Sequence, residues 1–349
     1  MRYTPILKSK SAELEALSTQ QVNCDLEPIF EIQDLAWNPN ATSGKSSGTD
    51  AAAFVDSLRR QWWRPAFVDL TRVATSPADR ASWWALLQAL TSMPGVPQHH
   101  LSPVLIPSDT PGVVNAAQGL AQNTGKALLR VQAPHASISS LTQTHQNIAR
   151  ALNLSPAKVE LLIDWSDSTE LHSLDHMESH VSSIVHGFQD TDARFIVSGT
   201  PNTSACAGSG QWDFDRREWW HWLRLDALGL PVDFSDYALF PPPSPGWGRP
   251  TYGHLRYSVD DTLHVERQQA PVGGLGAGFK ICCDNLVRLG LFAGAGFSEG
   301  DKSIDGIVSG AETPPGASQE WRKIALQHHL SLVDGHLASP PSPPPAGTY

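Results

Sequence analysis

The sequence predicts an α/β fold of the TIM-like (β/α)8 type, with C-terminal insertions forming a lid or cap. Three observations carry this expectation. In KVELLIDWSD, residues 158–167, the apolar run Val159, Leu161, Leu162 and Ile163 meets a carboxylate at Asp164. Such a run reads as a strand buried on both faces, as in a parallel sheet. The design recurs in EPIFEI with Glu31, PAFVDL with Asp69, SPVLIPSD with Asp109, KALLRVQ with Arg130, ARFIVSGT and PVDFSD. Helix-length segments separate these runs, and repeated strand–helix alternation makes a right-handed parallel arrangement the default.

Taken in order, YTPILK is a short extended piece and SAELEALSTQQ an amphipathic helix, with Ser11 as N-cap and Glu13 in the first turn. The first barrel strand is expected at Pro28–Ile32, followed by a Ser/Gly/Asn loop over 38–50. AAAFVDSLRRQWW supplies the first outer helix and 65–70 the second strand. Further helices alternate with strands at 101–107, 126–131, 158–164 and 194–198. A Trp-rich helix over 213–228 then precedes strand seven at 232–234. After that the rhythm breaks. A Pro/Gly excursion leads to LRYSVDDTLHVERQ, read as a hairpin or as strand eight with an antiparallel prelude. PVGGLGAG then opens helix FKICCDNLVRLGLF, AGAGFSEGDKSIDGIVSG reads as a loop, and SQEWRKIALQHHLSLVDGHLA as a closing helix. Residues 1–338 form one expected domain, with insertions at 238–254 and 293–320, and the Pro-rich 339–349 forms a disordered tail.

A chain of 349 residues with 40% apolar residues and twelve Trp can bury a large core. The net charge of −10 and pI near 5.7 argue against a dedicated nucleic-acid binder, which needs a concentrated basic face. Cys24, Cys206, Cys282 and Cys283 match neither a zinc spacing nor a disulfide framework, so they read as cytosolic thiols. The N-terminus lacks a signal-peptide core, and no apolar run approaches the roughly 20 residues of a membrane helix. A soluble cytoplasmic protein with no membrane partner is expected.

Glu31, Asp69 and Asp164 sit at predicted strand C-termini, the face where barrel active sites assemble. There they could serve as catalytic acid and base or hold a divalent metal; alternatively they cap helices or pair with Arg130 and Lys8. Arg130, Arg256 and Arg267, near the ends of strands four and eight, offer planar forks for a small anion or structural partners for those carboxylates. The Gly273–Gly278 loop opens a helix, so it reads either as a phosphate cradle or as an ordinary turn. Gly296–Gly300 fits G-x-S-x-G around Ser298, with Asp301 and Asp334 downstream. A helix and an Ala/Gly loop precede it rather than a strand, so Ser298 and Asp301 are expected to shape a loop or cap a turn. His172, His176 and His180 flank an apolar stripe and read as a solvated helix face. His328 and His329 point about 100° apart on a helix, so one is expected to reach inward beside Trp321 and Arg322. The paired tryptophans 62–63, 83–84 and 219–220 are expected to pack helices on the sheet.

Several strings taken together, YTPILKSKSAELEAL, EPIFEI, DFSDY, LRYSVDD with VERQ, FSEGD and EWRKIALQHHL, occur in an order that resembles the beta family proteins of phage and bacterial genomes. The resemblance runs from Tyr3 to Leu337. It implies pattern positions at Lys8, Glu13, Glu31, Asp69, Asp236, Tyr237, Arg256 and Tyr257, and then at Arg267, Phe297, Ser298, Asp301, Trp321, Arg322, His328 and His329. Ala238 stands where the family tends to have Gly, Gln268 where Gly often follows the Arg, and Gln327 where Asn commonly precedes the paired His. The resemblance carries no activity with it. The residues themselves suggest a mouth site for a phosphate- or nucleotide-like anion, with Glu31, Asp69, Asp164, His328 and His329 as catalytic candidates in a hydrolytic reaction. Lys8, Arg130, Asp236, Tyr237, Arg256, Arg267, Ser298, Asp301, Trp321 and Arg322 are the ligand-binding candidates. The rival expectation is a non-catalytic phage- or defence-associated scaffold with a protein partner, which predicts exposed apolar patches on the late insertions and no convergent carboxylates.

Overall fold

The computed structural model describes residues 1–19, 23–32, 51–72, 76–92, 101–134, 137–166, 173–203, 206–240, 252–270 and 272–343. The predicted loop at 38–50, His172, and most of the Pro/Gly excursion and of the Pro-rich tail lie outside the described residues. The strands are β1 (Arg2–Tyr3), β2 (Ile6–Lys8), β3 (Asp25–Leu26), β4 (Ile29–Glu31), β5 (Ala66–Asp69), β6 (Leu101–Leu105) and β7 (Ala127–Gln132). They continue as β8 (Val159–Asp164), β9 (Phe195–Ser198), β10 (Gly210–Asp215), β11 (Val232–Phe234), β12 (Gly253–Val259) and β13 (Thr262–Gln268). The helices are α1 (Ser11–Thr19), α2 (Ala51–Gln61), α3 (Pro77–Thr91), α4 (Pro111–Thr124), α5 (Ile138–Leu152), α6 (Leu174–Gly187) and α7 (Arg217–Ala227). After these come α8 (Gly274–Arg288), α9 (Glu299–Ser309) and α10 (Ser318–Ala338).

Ten of the strands form one parallel, curled sheet in the order β2-β4-β5-β6-β7-β8-β9-β11-β1-β3. Its register follows the chain: Ile6 lies opposite Ile29, Phe30 opposite Val68, Leu129 opposite Leu161, and Phe234 opposite Val197. β1 and β2 are halves of one extended stretch that Pro5 interrupts, because proline has no N–H to give the ladder. Tyr3 pairs with Phe234 at one end of the order, and Ile6 with Ile29 at the other. Thr4 N donates to Phe234 O at 3.0 Å and Ile6 N to Asp236 O at 2.7 Å. The segment Arg2–Lys8 therefore belongs to both ends of the sheet. This corrects the expectation that strands begin at Pro28 and end within 255–268. YTPILK is extended as the sequence suggests, but a run as short as Ile6-Leu7 carries no sign that it enters the sheet. Of the two readings of 255–268 the hairpin holds, with β12 and β13 pairing antiparallel and β10 on the other side of β13.

Alternation along the strands sorts their inward side chains into layers. Ile6, Ile29, Phe67, Val104, Leu128, Leu162, Ile196 and Tyr237 form one enclosed apolar cluster. A larger core, with Trp83, Trp84, Trp219 and Trp222, lies between sheet and helices. Two positions further along the strands, in the same phase, stand Lys8, Glu31, Asp69, Arg130 and Asp164. Two positions back stand Glu27, Lys126, Glu160 and Arg194.

The small sheet, β10-β13-β12, carries a second core on one face, where Leu255 and Tyr257 meet Phe279, Cys282, Ile304 and Trp321. α8 presses close onto the hairpin. A Cβ built on Gly278 would lie 2.4 Å from Gln268 O, and one on Gly276 would lie 2.7 Å from Pro314 O. Residues 299–309, expected as loop, are helical because Ser298 accepts from Asp301 N as N-cap and Gly310 ends the helix at φ 79°. α10 spans both cores, giving Trp321 and Ile324 to the second and Leu326, Leu330 and Val333 to the first. Among the described residues, no helix is long and apolar enough to cross a membrane.

Candidate functional site

The three strand-end carboxylates converge, and Arg130 is what they converge on. Its Nη1 donates to Asp69 Oδ2 at 2.5 Å and to Glu31 Oε1 at 3.1 Å, and its Nε and Nη2 donate to Asp164 Oδ2 at 2.9 and 2.7 Å. Nη2 also reaches the Tyr237 hydroxyl, which donates to Asp164 Oδ2 at 2.8 Å. Backbone N–H groups of Thr71 and Ser166 hold the remaining oxygens of Asp69 and Asp164, each at 2.8 Å. Arg72 adds a second guanidinium to Glu31 at 3.2 Å. Burial opposes the charge on Arg130, but Tyr237 and the three carboxylates outweigh it and hold its pKa well above the ordinary value. Of the two expectations for this triad, pairing with Arg130 is what the geometry contains. Among the described residues, no group of three or more His, Cys, Asp or Glu is placed to hold a metal.

Beside this knot lies a cluster of cations with few counter-charges. Arg256 is 5% exposed. It donates to Leu239 O and, at 2.9 Å, to Thr203 Oγ1, and its Nε faces His254 Nε2 at 3.5 Å. Arg322 and Arg256 both stack on Phe240, at 4.5 and 5.3 Å from the ring centre, and Arg267 stacks on Tyr252 at 4.9 Å. Arg322 donates to Glu13 Oε1 at 3.2 Å, while Arg267 donates to Cys206 O. Among the described residues, no carboxylate forms an ion pair with Arg256 or Arg267. Burial, with repulsion from Arg322 and Arg267, pushes Arg256 down to about 10. Burial and the same three arginines hold His254 well below its ordinary value. Lys8 joins this cluster to the knot. Burial and Arg322 push it down to about 7, with Glu31 and Glu13 opposing. Arg256 and Arg267 thus lie on the small sheet, not at the end of a parallel strand as expected, because β12 and β13 are the hairpin.

The two adjacent histidines reach different partners, as their angular separation requires, and both are 1% exposed. His328 Nδ1 faces Asp301 Oδ2 at 2.9 Å and its Nε2 faces Ser258 O at 2.7 Å, with the Tyr257 ring stacked on it at 3.7 Å. Asp301 also accepts from Tyr257 and Ser298 hydroxyls, both at 2.5 Å. His329 Nε2 faces Asp236 Oδ2, and its Nδ1 faces Ser258 Oγ, both at 2.7 Å. Burial lowers the His329 pKa while Asp236 pulls the other way. The neutral ring then donates from Nε2 to Asp236 and accepts the Ser258 proton at Nδ1. A small cleft, about 10 Å3 and so no larger than a water molecule needs, lies here, lined by Thr200, Arg216, Glu218, Asp236, Leu239 and His329 among others.

The other candidates go elsewhere. Trp321 packs against Phe279 at 5.2 Å and donates to Pro315 O at 2.7 Å, so it serves the second core. Gly274–Gly278 lie inside the first turns of α8, with Gly276 and Gly278 pressed close to neighbouring backbone, so the segment is helix rather than loop. His176 and His180 stack on each other along α6 and meet Trp165 edge-on. Sequence reasoning missed Ser258, the buried site of Glu13, and a whole ionic layer at the opposite end of the strands. In that layer Arg2 bridges Glu27 at 2.6 Å, Glu160 at 2.5 Å and Asp233 at 3.2 Å. A signal existed: Glu27, Lys126 and Glu160 each stand two positions before an inward apolar residue.

Among solved structures, the chain is similar to a GH18 chitinase from Pseudoalteromonas aurantia, at 13% identity and TM-score 0.34, covering 52% of this chain and 72% of that one. A GH5-4 endoglucanase from an uncultured bacterium matches at 8% identity and TM-score 0.33, covering 69% and 81%. Triosephosphate isomerase from Bartonella henselae matches at 9% identity and TM-score 0.29, covering 68% and 93%. Likeness at this level carries no statement about activity. No curated relative matches the chain. The Beta protein family profile matches residues 3–334, which takes in the acid–arginine knot, the cation cluster and both histidines, and the chain belongs to that family.

Proposed function

We propose that the seam between the C-terminal ends of the parallel strands and the small sheet binds a small phosphate- or nucleotide-like anion through Arg256, Arg267, Arg322 and Lys8. In this reading the parallel sheet is a closed eight-fold barrel, with β10, β12, β13, α8 and α9 as its cap. The sharing of Arg2–Lys8 by both sheet ends supports closure. One observation carries the anion: Arg256 is buried with no carboxylate partner among the described residues. A buried guanidinium costs several kcal/mol unless a counter-charge reaches it, and a bound anion supplies one. Arg130 is not part of the clamp, since its donors are already taken. Phosphate, AMP and ATP titrated into the purified protein should stabilise it by about 2.7 kcal/mol at a hundredfold excess over Kd, read as a higher melting temperature. Arg256→Met and Arg322→Met should abolish the shift.

A hydrolytic reaction in the same seam is favoured by the Ser258–His329–Asp236 chain, in which the Ser258 hydroxyl meets a neutral imidazole. Ser258→Ala should then remove turnover of a phosphoester probe while leaving phosphate binding intact. No anion-dependent shift in the wild type would reject the ligand site. It would favour a phage- or defence-associated interaction protein, for which the exposed Val272, Leu289 and Phe297 on the late segments speak.

A further inference from the structure

We infer that Lys8 is a carbonyl-condensing amine, and that the ligand of the seam is an anionic aldehyde or ketone held next to it by Arg256 and Arg322. This rests on the anion-binding reading and narrows its ligand to a carbonyl compound bearing a carboxylate or phosphate.

Four observations support it. Lys8 ends β2 in the inward layer with Glu31 and Arg130, so it stands at the rim of the enclosed cluster rather than on the surface, and it is 7% exposed. Arg322 and Arg256 lie close enough to repel its charge. An amine that is both desolvated and beside other cations keeps its lone pair at neutral pH, which is what nucleophilic attack on a carbonyl requires. Glu13 lies beside Lys8 and Arg322. It is 1% exposed, burial raises its pKa, and its Oε2 has no hydrogen-bond partner among the described residues. Such a carboxyl can carry a proton where one is needed.

The step balances without oxidant or reductant. The Lys8 Nζ lone pair forms a bond to the carbonyl carbon as the C=O π bond breaks, and one of the two Nζ protons passes to the carbonyl oxygen to give the carbinolamine. Glu13 then protonates that hydroxyl, the C–O bond breaks and water leaves. The nitrogen loses its last proton to Glu13 as the C=N double bond forms. The anionic group of the ligand meanwhile supplies the counter-charge that Arg256 lacks.

The test is reductive trapping on the full chain, with glyoxylate as probe, cyanoborohydride as reductant and peptide mass mapping as readout. Lys8 should be alkylated at least roughly tenfold faster than the exposed Lys10 and Lys302. Its labelling should rise through about pH 7, and inorganic phosphate should slow it. Glu13→Gln should slow labelling of Lys8 without weakening phosphate binding. Labelling of Lys8 no faster than that of Lys10, in a protein that still binds phosphate through Arg256, would overturn the condensation and leave the anion site standing. Rapid labelling that phosphate does not slow would overturn the shared pocket. Absence of phosphate binding altogether would remove the anion reading on which the proposal rests. Lys8→Arg, checked for retained helicity, should lose the Lys8 adduct while labelling of Lys10 and Lys302 stays as in the wild type.

Discussion

Ala238 shows at the residue scale how a departure in sequence acquires a physical cost. It follows Asp236-Tyr237 with φ 44°, in the left-handed region where a Cβ crowds the following carbonyl. A glycine at this position would remove that crowding. Ala238→Gly should therefore raise stability by about 1 kcal/mol in urea denaturation; an unchanged or lower midpoint would show that the backbone carries no strain there. Glu218 gives a pH-dependent case. It is 4% exposed, and burial, with Asp236 nearby, pushes it up to about 7 from the usual 4.5. The folded state thus holds this proton more tightly than the unfolded chain does. Stability falls as pH climbs between those two values, and above the upper one the full cost of the buried charge is present. Glu218→Gln should be more stable than wild type by on the order of 2–3 kcal/mol at pH 8 and indistinguishable from it at pH 4, measured by thermal denaturation at both. At Ala238 the resemblance marks the position, but the positive φ that makes it costly appears only in the fold. Nothing in the letters marks Glu218 until its neighbours remove the water.

At the scale of elements, the hairpin and α8 behave as one unit whose fit depends on absent side chains. Gly278 touches Gln268 O and Gly253, so the helix axis lies closer to the strands than any larger residue permits. Gly278→Ala should cost about 1–3 kcal/mol and shift near-ultraviolet circular dichroism from Trp321 and Phe279, which sit in the same core. Ala at Gly296, where an added Cβ meets nothing within 4 Å, is the neutral control. The sequence placed most strands and helices correctly because their apolar runs are long and clearly bounded. It carried no sign that the short extended piece at Ile6–Lys8 enters the sheet, and it failed where capping outweighed a Gly-rich composition, at α9. It also read Gly273–Gly278 as a loop, since glycine suits a turn and a close helix contact equally well.

At the scale of the whole molecule, the inward layers form a sandwich of ionic, apolar and ionic composition. The lower ionic layer ties the N-terminus to β8, to β11 and to Glu27 between β3 and β4 through Arg2. Arg2→Met would leave Glu27, Glu160 and Asp233 without that partner, and should cost about 3–5 kcal/mol with cooperative unfolding retained. Loss of less than 1 kcal/mol would mean that Lys126 and Arg194, which also contact these acids, suffice. The amino-acid order by itself determined that acidic and basic groups would end successive parallel strands, because alternation and strand direction are local properties. Which charges meet was decided only in three dimensions. Arg130 gathers Glu31, Asp69 and Asp164 from strands up to a hundred residues away, whereas Arg256 arrives on a hairpin that supplies it no carboxylate. Pairing depends on where the sheet and its added hairpin come together, and no local pattern carries that distance.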